Sequence, residues 1–161
     1  MTTDISINTE KNMNTNTEKN MKIQEHIVAV VEPTRDGEAT LDIANEVVNR
    51  GGRATVVVLI TRKTMSDIRA FAASENLTVP DASEIYFERL AETYSSRVGS
   101  PDASAVVTES ASSGRTVFET AASVRPTTIV MPQRLANRRG WRASVARSQV
   151  PVVIAPSTAA A

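Results

Sequence analysis

The sequence contains no cysteine and a single histidine, His26. Without cysteine the chain can form neither a disulfide nor a thiolate metal site, and it has no cysteine nucleophile. One histidine excludes a metal site built from several histidines and argues against Ser–His catalysis. The lack of cysteine also fits a reducing compartment. Because the residues show no nucleophile–base pair and no convincing general acid, we predict that the protein is not an enzyme.

Long apolar runs are missing too. No stretch approaches the ~18 residues that a membrane-spanning helix requires, and the N-terminus lacks the apolar core of an export signal. We therefore expect a cytoplasmic protein with no membrane contact. The chain has 161 residues, of which 41% are hydrophobic, and this is enough for one domain with a real core.

Both ends of the chain lack residues that could be buried. The sequence NTEKNM occurs at Asn8–Met13 and again at Asn16–Met21, and its composition favours disorder. The repeat is more typical of a duplicated coding segment than of a binding tail. We predict a disordered tail over residues 1–22, a folded domain over residues 23–157 and a loose tail over residues 158–161.

Five short apolar runs alternate with stretches of helical periodicity. The runs, which predict buried strands, are His26–Pro33, Ala54–Ile60, Ala103–Ser110, Thr127–Pro132 and Val150–Pro156. Ser66 and Asp67 resemble a cap for the helix after the second strand. The alternation predicts an α/β fold, a single three-layer α/β/α domain with a five-stranded, mainly parallel sheet. Ligands of such sheets lie beyond the carboxyl ends of the strands, where the strand order reverses.

Acidic residues are absent from the C-terminal quarter, although the formal net charge of the whole chain is zero. No Asp or Glu follows Glu119, whereas this stretch holds six arginines: Arg125, Arg134, Arg138, Arg139, Arg142 and Arg147. The central four form either an anion clamp or a solvated helix face whose stems cover apolar surface. No carboxylate is close to them in the sequence, so the clamp remains an alternative. Nucleic acid is the least favoured partner, since no aromatic platform accompanies the charge.

Three further features have structural interpretations that we favour over functional ones. Trp141 could stack on a base, but a lone tryptophan more often packs against its own domain. The stretch ESASSGRT, Glu109–Thr116, lacks the Gly-Lys-Ser/Thr ending of a P-loop. Ser112 or Ser113 is instead expected to cap a helix. His26 is expected to be an exposed or edge residue.

Three longer stretches carry a family resemblance. They are IVAVVEPTRDGEATLDIANEVVNRGGRATVVVLI at the start, TESASSGRTVFETAASVRPTTIVMPQ before and within the fourth strand, and SVARSQVPVVIAPS at the end. Together, over about residues 26–156, they resemble the universal stress protein family. The resemblance implies the adenine nucleotide alpha hydrolase-like fold of that family. It also implies a homodimer through the last strand, Val150–Pro156, which in the family pairs with its copy across a two-fold axis.

The ATP-binding members of that family carry an acidic residue after the first strand. After the fourth strand they have a loop of the form glycine, two residues, glycine, nine residues, glycine and then Ser or Thr. Here Glu32 and Pro33 follow the first strand, Pro132 takes the first glycine position, and Gly140 is the only glycine in the loop. Proline has no N–H to donate to a phosphate. The resemblance therefore argues for the fold and against the usual ATP mode.

We expect a non-enzymatic stress-response or regulatory protein that acts as a homodimer through an unidentified protein partner, with no cofactor. The alternative is an ATP-binding or other nucleotide-binding regulator in which Glu32 and Val57 face the base and the arginines face the phosphates. The candidate binding residues for that alternative are Glu32, Pro33, Val57, Pro132, Gln133, Arg134, Arg138, Arg139 and Gly140.

Overall fold

The computed structural model describes residues 24–33, 37–99, 104–109 and 114–156 of the chain. The predicted tails over residues 1–22 and 158–161 lie outside these residues, as do Ser112 and Ser113. None of the helices in the described part combines the length and apolar character that a membrane span requires.

Strands and helices alternate along the described part of the chain. The strands are β1 (His26–Val31), β2 (Arg53–Ile60), β3 (Ser104–Glu109), β4 (Thr128–Pro132) and β5 (Val152–Ala155). The helices are α1 (Glu38–Asn49), α2 (Arg62–Ser74), α3 (Val79–Val98), α4 (Gly114–Ser123), α5 (Gln133–Ala136) and α6 (Arg142–Arg147). The five strands form one sheet in the order β3-β2-β1-β4-β5, and every neighbouring pair is parallel. The predicted α/β fold class is confirmed.

The side chains of the central strands alternate between two hydrophobic clusters, one on each face of the sheet. Ala29 lies in one cluster with Leu41 of α1. Its neighbour Val30 lies in the other cluster, with Val117 of α4 and with Trp141. Burial on both faces explains why the strands are continuous β-branched runs and do not alternate with polar residues.

Helix α2 begins earlier than the sequence pattern predicts. Its N-cap is Thr61, whose hydroxyl accepts a hydrogen bond from the backbone N–H of Thr64 at 3.2 Å. The expectation that Ser66 and Asp67 open this helix is therefore wrong, because the threonine directly after β2 already satisfies a free N–H of the first turn. The helix consequently begins two residues after β2 ends, at Arg62.

The arginine-rich segment after β4 folds as two short helices. Helix α5 ends at Ala136 and α6 begins at Arg142. Between them Gly140 has a φ of 88°, a conformation that glycine adopts without the strain of a side chain. Leu135 and Trp141, on either side of this turn, lie in the same hydrophobic cluster.

Candidate functional site

The strand order places a crevice between β1 and β4. Strand β1 leads to β2 on one side, whereas β4 leads to β5 on the other, so the order reverses between these two neighbours. In open parallel sheets this is the position where ligands bind, just beyond the carboxyl ends. Glu32 directly follows β1 and Gln133 directly follows β4. The structure thus brings together the residues after β1 and the residues after β4, and the sequence names candidate binding residues in both segments.

Glu32 and two arginines, Arg134 and Arg138, form an ion-pair cluster at this crevice. Nη2 of Arg134 donates to Oε2 of Glu32 at 2.8 Å. Nη1 of Arg138 lies 3.7 Å from Oε1 of the same carboxylate. The two arginines are four residues apart, so α5 and the turn that follows it present both to one acceptor.

Burial makes this ion pair significant for stability. Only 6% of the Glu32 side chain is exposed, against 47% for Arg134 and 41% for Arg138. A buried carboxylate is costly unless charged donors compensate for its lost hydration. The two guanidinium groups supply that compensation while keeping part of their own surface in water.

The sequence pattern does not indicate which acid pairs with the arginines. The arginine cluster has no carboxylate near it in the sequence, yet Glu32 lies 102 positions before Arg134 and contacts it. The pairing of β1 with β4, in which Ala29 is the partner of Val130, closes that distance. An acid directly after one strand and arginines directly after its parallel neighbour are the signal that could have found the pair.

Trp141 belongs to the core beneath the crevice and is fully buried. A Cβ built on Gly114 at the start of α4 would lie 3.0 Å from Cγ of Trp141. The Arg138 guanidinium lies over the Trp141 ring, 6.0 Å from its centroid. The expectation that this tryptophan packs inside its own domain is confirmed, and its ring is not presented to a base.

The other candidate binding residues divide into two groups. Val57 is 1% exposed and lies in the hydrophobic cluster with Val30, so the structure does not bring it to the surface of the crevice. Pro132 is buried at the N-cap of α5. Pro33 is half-buried beside Glu32. The exposed candidates, in addition to the two paired arginines, are Gln133, Arg139 and Gly140.

His26 lies at the other end of β1, away from the crevice. It is the first residue of the central strand and is partly buried, so the expectation of an exposed or edge histidine is wrong. Its Nε2 is 2.8 Å from Oγ1 of Thr55 on β2. Burial, and secondarily the charge of Arg53, lowers the pKa of this imidazole below its usual value. No group of three or more His, Asp or Glu that could hold a metal ion occurs among the described residues.

Strand β5 forms one edge of the sheet and exposes apolar side chains. Val153 is 42% and Ile154 is 41% exposed. Val153 is the register partner of Val130, and Ile154 is the partner of Met131. Because neighbouring residues of a strand point to opposite faces, the edge is apolar on both sides of the sheet.

Comparison with known proteins identifies the fold. No family model matches the sequence, and no curated protein matches it. Among solved structures, a universal stress protein in complex with cAMP has a TM-score of 0.56 at 14% identity, covering 83% of this chain and 97% of that chain. A protein of the universal stress protein family from Burkholderia pseudomallei has a TM-score of 0.53 at 17% identity, covering 83% and 96%.

A third structure, of a hypothetical protein, has a TM-score of 0.52 at 9% identity and covers 83% of this chain and 96% of that chain. At such identities the likeness concerns the fold, and it extends over nearly the whole length of each neighbour. The chain thus has the fold of the universal stress proteins, and the resemblance seen in the sequence is confirmed at that level.

Proposed function

We propose that the protein is a non-enzymatic, universal-stress-protein-like interaction protein that works as a homodimer in a stress response. In this proposal it acts in the cytoplasm on an unidentified protein partner, requires no cofactor, and does not bind ATP in the mode usual for that family. The observation that carries the proposal is the ion pair of Glu32 with Arg134 and Arg138 in the crevice between β1 and β4.

The ion pair and Pro132 each oppose the binding of a phosphate at this crevice. A phosphate that approached Arg134 would have to replace a 2.8 Å hydrogen bond to Glu32, whose side chain is 6% exposed. The displaced carboxylate would then be buried without its partners, which is strongly unfavourable. Pro132, at the start of the loop, also offers no N–H to a phosphate.

The edge strand β5 supports the dimer part of the proposal. Its outer side has no neighbouring strand within the described chain, so its backbone groups are available to a partner strand. An antiparallel β5 from a second copy would satisfy these groups and cover Val153 and Ile154. A two-fold axis through this pair would make the interface self-complementary.

The likeness to a universal stress protein in complex with cAMP supports one alternative function, that of a nucleotide-binding regulator. For it, the ion pair would have to open, so that Arg134 and Arg138 could contact phosphate. Gln133 and Arg139 are exposed beside them and would be the first polar groups to meet such a ligand.

Isothermal titration calorimetry separates the two functions. We expect purified, nucleotide-free protein to give no saturable heat with Mg·ATP or with cAMP at moderate salt, while circular dichroism shows that the sample is folded. Saturable binding that is lost in the double variant Arg138→Ala, Arg139→Ala would overturn the proposal in favour of the regulator. The matched control is Arg142→Ala, which removes a charge of the same segment that has no contact with Glu32.

A further inference from the structure

We propose that a groove between α4 and α6 binds a small amphipathic organic anion, with an apolar body and one carboxylate or sulfonate group. The groove has a volume of about 600 Å³, within the range of about 300–1,000 Å³ typical of small-molecule sites. It runs over the face of the sheet beside Ile129, near the beginning of β4. It is therefore separate from the crevice at the carboxyl end of that strand.

The groove lies between two helices that contact each other at one end. The two helices meet at their N-terminal ends, where Gly114 lies against Trp141. Further along, Ala122 of α4 and Ser144 of α6 line the gap. Helix α6 ends at Arg147, and the Ser148 hydroxyl then donates to the carbonyl of Val150 at 2.7 Å. This turn leads into β5, and its residues Ser148, Gln149 and Val150 line the groove.

The floor of the groove is apolar. Ile129 is buried, while Phe118 and Val150 are partly buried and pack against the same hydrophobic cluster. An occupant could cover the exposed parts of Phe118 and Val150, which would be favourable in proportion to the apolar area removed from water. A bare inorganic anion would gain none of this stabilisation.

The walls of the groove carry arginines in two different states. Arg115 forms a 3.0 Å ion pair with Glu119, one helical turn further along α4, and both side chains are largely exposed. Arg147, on the opposite wall, makes no ion pair with any carboxylate of the described residues. The polar residues Ser144 and Gln149, close to Arg147 in the chain, also line the groove. A guanidinium with polar neighbours beside an apolar floor favours an anion attached to an apolar body.

A fluorescent probe of this chemistry tests the inference. We expect 8-anilinonaphthalene-1-sulfonate to bind the folded protein saturably and to be displaced by decanoate but not by decanol. Ala122→Phe, which places a ring in the groove from an exposed helix position, should abolish this binding. Arg147→Gln should weaken it about tenfold, the effect expected when a charge-assisted hydrogen bond is lost.

Two matched variants control for side-chain size and charge. Ala70→Phe adds the same ring to an exposed position of α2, and Arg142→Gln removes the same charge from α6 outside the groove. Both should bind the probe as the unchanged protein does. The inference is overturned if the probe does not bind saturably, or if Ala122→Phe and Arg147→Gln bind it undiminished. Equal displacement by decanol would overturn the role of the anionic group.

Discussion

Two arginine-bearing surfaces lie on this sheet, and they differ in whether an acid reaches them. At the crevice between β1 and β4, Glu32 binds Arg134 and approaches Arg138. At the groove between α4 and α6, Arg147 pairs with no carboxylate of the described chain. Both surfaces take arginines from one arginine-rich stretch, but Arg134 and Arg138 face a buried acid whereas Arg147 has no ion-pair partner among the described residues.

Topology explains the difference. Strands β1 and β4 are neighbours, so the acid that ends the first is brought to the arginines that follow the second. Among the described residues no acid is paired with an arginine of α6, although Glu119 of α4 also lines the groove. Glu119 itself pairs with Arg115 within α4. A count of charges along the chain therefore cannot tell a neutralised cluster from an accessible one.

Removing Trp141 should have the largest effect, because this residue supports both surfaces. Its ring lies under Arg138 and against Gly114, and it is fully buried. We expect Trp141→Ala to lower the free energy of unfolding by about 3–5 kcal/mol, as for other buried aromatic residues. Urea unfolding followed by circular dichroism measures this. A loss no larger than that of Arg142→Ala, an exposed neighbour, would show that the ring is not a core residue.

The apolar edge of β5 offers the next test, since it lies beside the groove but contains no charge. If two copies pair through β5, Val153→Lys with Ile154→Lys would bring like charges together across the axis, at a cost of several kcal/mol. We expect sedimentation velocity to show a dimer for the unchanged protein and a monomer for the double variant. Val79→Lys is the matched control, because Val79 is similarly exposed, at 40%, on α3. A monomeric unchanged protein would contradict the dimer.

The local sequence pattern predicts the strands and the α/β fold class of this protein well. The β-branched runs mark strands because a parallel sheet covered on both faces requires apolar residues at every strand position. Trp141 could be assigned to the core because a lone tryptophan usually packs against its own domain. Nothing in that pattern encodes which strands become neighbours.

The candidate site was harder to predict for that reason. The contact of Glu32 with Arg134 depends on the register of β1 against β4, which is a property of the whole sheet. The sequence assigns Val57 to a strand but does not show whether its side chain reaches the crevice. In the structure it lies in a hydrophobic cluster of the core. The start of α2 depends on one hydroxyl, that of Thr61, which competes with the similar signal of Ser66.

Single substitutions of Arg134 and Arg147 compare the structural role of an arginine at the crevice with that of an arginine at the groove. Arg134→Ala leaves the buried Glu32 carboxylate without its shorter hydrogen bond, so we expect a loss of about 1–3 kcal/mol in the free energy of unfolding. Arg147→Ala removes a charge with no described ion-pair partner, and a change of at most about 0.5 kcal/mol is expected. Chemical unfolding of both variants measures the contrast. Equal losses would mean that the crevice arginines are no more structural than the groove arginine.

The pH dependence of stability should give the smallest effect and should arise from neither surface. The pKa of His26 is lowered in the folded state by burial and by Arg53, while the unfolded chain titrates near the ordinary value of about 6.5. As pH falls through this value, the unfolded state binds the proton first, so the free energy of unfolding decreases until the folded-state pKa is passed.

His26→Gln should flatten this dependence between about pH 7.5 and pH 5.5, a range in which every arginine keeps its charge. Because His26 is the only histidine, urea unfolding at these two pH values isolates its contribution. Arg134→Ala should retain the slope, since the crevice and His26 lie at opposite ends of β1. A slope that disappeared in Arg134→Ala and persisted in His26→Gln would transfer the pH response to the ion pair, and would make the crevice itself sensitive to protons.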